Sequence, residues 1–118
     1  MKIYLTRDDI LAEPWQKNPC PLRGRRGVYL IAERESGRII YAGQSRNIGR
    51  RLSPSVHHIF NRKIHDVLIL FVNNDQERYY LEGRCIDLLK PDRNIRMGYD
   101  LHYDEATKKG YYDSIFLE

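Results

Sequence analysis

The sequence predicts an α+β domain, and three stretches of its 118 residues carry that prediction. GVYLIAE and RIIYAG are β-rich runs separated by the turn-forming RESG, the pattern of an antiparallel hairpin. VLILFV, residues 67–72, is a continuous apolar run, which reads as a strand buried on both faces and central in its sheet. A helix opens on an Asn74/Glu77 capping pattern, runs through QERYYLEGRCIDLLK and stops at Pro91.

Taken in order, the first sixteen residues suggest a short extended start and then a helical turn capped by Thr6, with Asp9 completing a capping box. QKNPCPLRGRR, with two prolines and a basic run, reads as a surface connection. Within the hairpin, a turn centred on Glu35 sets Tyr29 directly opposite Tyr41, so that both phenols share one face. A slip of one residue would send them to opposite faces. Ser45 is the expected N-cap of a basic helix through Arg46 to Leu52, which Pro54 ends or redirects. HHIFNRKIHD carries no decisive pattern, and from Ile95 onward the tyrosine-rich tail reads as a strand or extended packing segment. One domain, 1–118, is expected at this length, with no internal repeat.

Composition narrows the function. No apolar run approaches the length that spans a bilayer, so no membrane role is expected. MKIYLTRDD lacks the apolar stretch of a signal peptide, and Cys20 and Cys85 are too far apart to form a ligand pair. A cytoplasmic protein that is not secreted is the expectation. Residues 17–63 hold eleven Lys or Arg against two acids, whereas residues 64–118 hold seven against eleven. Nine of those eleven cations are arginine, which suits a polyanion because guanidinium binds phosphate oxygens in bidentate fashion.

One residue of the last helix conflicts with its surroundings. At roughly 100° per residue, Leu88, Leu81, Cys85, Leu89, Ile86 and Tyr79 follow one another around an apolar arc, and Glu82 falls between Leu89 and Ile86. A carboxylate directed into a core costs several kcal/mol unless a cation, metal or hydrogen-bond donor compensates it. Glu82 is therefore a metal ligand at the floor of a cleft, or a salt-bridged or rim residue. Cys85 on the same face reads as a small core residue. His57, His58, His65 and His102 show no metal-ligand spacing.

YAGQSRNIGRRL, residues 41–52, tests as a phosphate-binding loop and fails, because five residues separate its glycines and no Lys-Ser/Thr follows. No nucleotide cofactor is expected. A turn after a strand remains, leading into a helix with Arg46 and Arg50 on one side and Arg51 turned away.

These residues resemble the GIY-YIG nuclease family. GVY at 27–29 and YAG at 41–43 look like its two signatures, Arg51 falls where the family has its catalytic arginine, and Glu82 where it has its metal-binding glutamate. Asn94 resembles the asparagine that commonly follows. The resemblance covers about residues 26–95, the expected core. It implies a small three-stranded antiparallel sheet flanked by helices and one divalent metal, Mg²⁺ or Mn²⁺, in a shallow site. Two departures stand out: Gln44 follows the second signature, where many relatives carry a basic or polar residue, and Ser55 occupies a position where many have His or Tyr. His57 or His58 is the candidate to supply that function from a shifted position.

The resemblance implies a metal-dependent DNA endonuclease. Tyr29 would activate water, Tyr41 would position it, Arg51 would neutralise the scissile phosphate, Glu82 would hold the metal and Asn94 would hold the loop geometry. Arg23, Arg25, Arg26, Arg46, Arg50, Arg62 and Lys63 are the expected contacts to the backbone of double-stranded or branched DNA. The alternative is a non-catalytic nucleic-acid-binding module or accessory subunit with the same fold. The chain has no room for a second DNA-binding domain, which leaves a short site, a structural substrate, a homodimer or a partner protein to supply specificity. The setting expected for such a protein is bacterial, archaeal or phage-like.

Overall fold

The computed structural model describes residues 2–94. Its elements are α1 (Arg7–Leu11), β1 (Gln16–Lys17), β2 (Gly27–Glu33), β3 (Ile39–Ser45), α2 (Ile48–Arg51), β4 (His65–Phe71) and α3 (Asp75–Leu89). The strands form one antiparallel sheet in the order β1-β4-β2-β3, so the α+β class stands. The three long strands are those expected; β1 adds a fourth. It is a two-residue edge in the stretch read as a surface connection, where Gln16 opposes Ile69 and Lys17 opposes Leu68. The expectation for the tail beyond Ile95 lies outside the described residues.

Local chemistry sets the helix ends. Thr6 and Asp9 close a reciprocal capping box on α1, and Asn74 accepts from the Glu77 amide to start α3. α3 ends at Lys90, which takes a left-handed conformation just before Pro91.

The sheet buries both faces. On one, Val28, Leu30 and Ala42 pack against Leu81, Cys85 and Leu89 of α3, with Ile10 and Tyr4 from the N-terminal segment. On the other, Tyr29, Ile31, Ile40, Tyr41, Val67 and Ile69 pack against Ile48 and Leu52. The strand buried on both faces is β2, not β4. α3 lies over β3 and β2, so Leu68 and Leu70 of β4 stay only half-buried while Val67 and Ile69 on the opposite face are closed off. β4 is interior to the sheet, between β1 and β2, as its apolar run suggests, but it is closed off on one face only.

Hairpin register departs from the expectation in one respect. Tyr29 opposes Gly43, and Ile31 opposes Tyr41. A bulge causes the offset: Ala32 pairs with Ile39, so Ile40 is an extra residue on β3. It turns Ile40 and Tyr41 toward the same face, while Ile39 and Ala42 pack against the other. Tyr29 and Tyr41 thus still share a face, as diagonal neighbours, with ring centroids 6.1 Å apart.

Gly43 is required by this register. A Cβ there would lie 2.6 Å from both Cζ and Oη of Tyr29. Gly43→Ala should therefore displace the Tyr29 ring and lower stability by about 1–3 kcal/mol, as overpacking of a filled core does. Urea denaturation checks this, and an unchanged midpoint would mean that the ring does not rest on the glycine.

Candidate functional site

α2 begins two residues later than its sequence suggests. Pairing with Gly27 keeps Ser45 in β3, so Ser45 does not cap the helix. Asn47 does, accepting from the Arg50 amide at 3.3 Å and from the Gly24 amide at 2.8 Å. Arg46 therefore precedes the helix rather than sharing a face of it with Arg50. Asn47 also ties the Arg23–Arg26 connection to α2, as do bonds from the Ile48 amide to the Arg25 carbonyl and from the Gly49 amide to the Leu22 carbonyl. Gly49 permits this approach, since a Cβ would meet the Arg23 nitrogen at 2.7 Å.

Five of the seven expected backbone contacts consequently gather at one end of the sheet. Arg23, Arg25, Arg26, Arg46 and Arg50 are all exposed there. The Arg25 guanidinium lies 3.8 Å over the Phe71 ring, and Arg46 lies 4.0 Å from Asp75. Arg62 and Lys63 do not join them. They precede β4 at the far end of the sheet, where their carbonyls accept from Arg34, roughly 20 Å away at the usual strand rise.

A cleft of about 470 Å³ opens at the basic end, lined by Gln44, Ser45, Arg46, Asn47, Arg50, Arg51, Val56 and Tyr79. Behind it lies an aromatic cluster. His57 Nε2 is 3.1 Å from the Tyr29 hydroxyl, and the His57 ring stands edge-on to Tyr41 with centroids 5.1 Å apart. His57 Nδ1 accepts from the amides of Ile59 and Phe60 at 3.2 and 3.3 Å, so the neutral ring carries its proton on Nε2. His57 therefore donates to Tyr29. Burial, then the charges of Arg51 and His58, pull His57 from its ordinary 6.5 down to about 4. Tyr29, Tyr41, His57 and Arg51 are thus brought together.

Glu82 approaches from the other face of the sheet. It is half-buried on α3, one helical turn beyond Arg78 and Tyr79. Burial, and to a lesser degree the charge of Glu82, push the Cys85 thiol well above its usual range, which keeps it an inert core residue. Asn94 lies at the outer edge of β3, where its amide accepts from the Ala42 nitrogen at 2.7 Å and donates to the Ala42 carbonyl at 2.9 Å. It replaces a missing strand partner between Tyr41 and Gly43.

Among the described residues, no three His, Cys, Asp or Glu side chains cluster as a metal cage. The single hard oxygen donor of Glu82 fits Mg²⁺ or Mn²⁺, which fill most of their coordination with water and phosphate.

Three residues that the geometry makes prominent had no site role assigned from the sequence. Tyr79, assigned to the apolar arc, is 57% exposed on the cleft. Gln44 lines the same cleft. Arg78 is fully buried, and the arc that singled out Glu82 places Arg78 between Cys85 and Leu89, nearer its middle.

The fold and this cleft define a small α+β domain with a basic, arginine-lined site. No family model matches the chain, and no solved structure matches it. It is similar to UvrABC system protein C from Bacteroides fragilis, 27% identical over 99 residues that cover 76% of this chain and 16% of the relative. The similarity to the protein of the same name from Bacteroides thetaiotaomicron is 28% over 99 residues, with the same coverage. That from Gloeobacter violaceus is 30% identical over 86 residues, 65% of this chain and 14% of the relative. The chain spans about a sixth of the length of these relatives. Among the described residues, no helix is long and apolar enough to cross a membrane.

The state of His57 has a thermodynamic consequence. Between about 4 and 6.5 the unfolded chain holds a proton on this ring that the folded chain does not, so stability rises with pH across that window. The contribution, at most about 3 kcal/mol, is complete above 6.5 and is lost as the pH falls toward 4. His65, also lowered by burial, acts in the same direction, so the test is a difference. Wild type should exceed His57→Gln in denaturation free energy by more at pH 7.5 than at pH 4.5. An equal margin at both would mean that His57 is not held neutral by the fold.

Proposed function

We propose that this chain is a GIY-YIG-like, divalent-metal-dependent DNA endonuclease domain. The observation that carries the reading is the meeting of Tyr29, Tyr41, His57 and Arg51 behind an arginine-lined cleft, with Glu82 half-buried on α3 one turn beyond Tyr79, which lines that cleft. Its five-element resemblance to the nuclease family and its similarity to UvrABC system protein C support the same conclusion.

In this proposal the arginines at the basic end hold the phosphodiester backbone, and Arg51 faces the scissile group and offsets its developing charge. Tyr29 accepts the proton of the attacking water. Burial alone would disfavour a phenolate; donation from His57 Nε2–H and the Arg51 charge counter that penalty. Tyr41 holds the Tyr29 and His57 rings in place, and Asn94 fixes the strand between Tyr41 and Gly43. Glu82 would hold one Mg²⁺ or Mn²⁺ ion, whose chemistry is to stabilise the charge on the departing oxygen. Non-selective contacts of this kind give affinity without sequence choice, so discrimination falls to DNA structure, a second copy or a partner. In the relatives the matched region is one part of a much longer chain.

One observation favours the binding-only alternative. Tyr29 is 0% exposed, so water activation requires the turn at residues 53–58, which carries His57, to shift when substrate binds. Supercoiled plasmid with Mg²⁺ or with EDTA separates the two readings. Metal-dependent nicking by wild type, reduced at least a hundredfold in Glu82→Gln and Arg51→Ala variants that retain their circular dichroism, supports the enzyme. Salt-sensitive binding with no nicking supports the module.

A further inference from the structure

The largest fully buried side chain in the domain is a charged one, Arg78. Burying a guanidinium is tolerable only when its N–H groups are satisfied. Here Nη1 donates to the carbonyls of Val72 and Asn73 at 3.3 and 3.2 Å, Nη2 to the Asp75 carboxylate, and Nε to Gln44 Oε1 at 2.8 Å. Three of these bonds are local, fastening the start of α3 to the end of β4. The fourth leaves that neighbourhood and reaches the residue after Gly43 on β3.

That fourth bond decides which way Gln44 faces. Arginine has no acceptor, so the amide atom it holds must be the carbonyl oxygen; the Nε2 amino group is then the donor that Gln44, which lines the cleft, can offer to another partner. We infer that Arg78 is a positioning residue, which locks the Gln44 amide so that its amino group is presented to a non-bridging phosphate oxygen of a bound nucleic-acid backbone. This rests on the nucleic-acid reading above.

Two consequences distinguish orientation from charge. Asp75 neutralises Arg78 and also faces Arg46, so Arg78 adds little field to the cleft. A glutamine not held in this way would turn freely and present its oxygen to phosphate in half of its amide orientations. It would also lose rotamer freedom on binding that the Arg78 bond already removes in the fold.

The test measures affinity for a fluorescent DNA duplex in EDTA, so that cleavage plays no part. Gln44→Glu keeps an acceptor for Arg78 but replaces the amino group with an anionic oxygen. It should melt no lower than wild type and bind at least tenfold more weakly. Gln44→Met, which has similar length and no donor, should bind about three- to tenfold more weakly. Arg78→Lys should weaken binding by a similar factor, and adding it to Gln44→Met should cost nothing further. If both Gln44 variants bind within twofold of wild type while Arg46→Ala weakens binding, the inference is wrong and the nucleic-acid reading survives. Additive losses for Arg78→Lys and Gln44→Met would overturn the route through Gln44. Wild type that binds no duplex overturns both readings.

Discussion

The contact on which the candidate site depends is the seating of the Tyr29 ring against Gly43. β2 is paired along its whole length on both edges, whereas β4 has only the two-residue β1 on its outer edge, so the β2 backbone is the least movable part of the sheet. The bulge at Ile40 then sets which residue of β3 lies across from Tyr29, and a side chain at that residue would occupy the space of the phenol. With the ring in place, its hydroxyl meets His57, whose other nitrogen is held by two backbone amides of the following turn. A single register thus fixes the phenol, the imidazole that donates to it and the conformation of a turn that has no regular secondary structure of its own.

Two charged side chains on α3 differ in burial because of their position on the helix. Arg78 sits near the centre of the buried strip and is surrounded by acceptors; Glu82 sits some 40° further round, where it remains half-buried. Full burial suits a group whose bonds are all internal. Partial burial is compatible with the role proposed for Glu82, in which a carboxylate would reach an ion.

Much of this was legible in the sequence because it is local. The hairpin, the capping of α1 and α3 and the long apolar strand each follow from residues within one element, and all are present. What was misread depends on partners distant in the chain. The Ile40 bulge shifts the Tyr29 pairing, and β3 pairing through Ser45 passes the cap of α2 to Asn47. The turn at residues 53–64 had no pattern because it is held by His57 and by Arg34, which reaches it across the sheet. Arg78 was detectable from its angular position, but an arginine among apolar residues reads as a long side chain that escapes to solvent. Only its acceptors, on β3 and on the loop after β4, show that it stays inside.

The charge distribution links fold to function most directly. A basic segment of sequence need not make a basic face, and here it makes two unequal groups, because β2 and β3 carry the chain the length of the sheet and back. Arg23, Arg25, Arg26, Arg46 and Arg50 meet beside the cleft, whereas Arg34 at the far end is engaged with Asp66 and three carbonyls. Asp75 draws on Arg46 and Arg78, and its carboxyl is held below the ordinary range chiefly by the Arg78 hydrogen bond. It thereby prevents the cleft from becoming uniformly cationic. Exposed arginines at such a site screen readily with salt, so they set encounter and register on a polyanion more than they set chemistry. In the proposed reading, the groups left to act on a single phosphate are those fixed by the interior: Arg51 beside His57, and the Gln44 amide held by Arg78. On that same reading the surface charges would gather a backbone, and the buried bonds would determine which of its oxygens is met by an oriented donor.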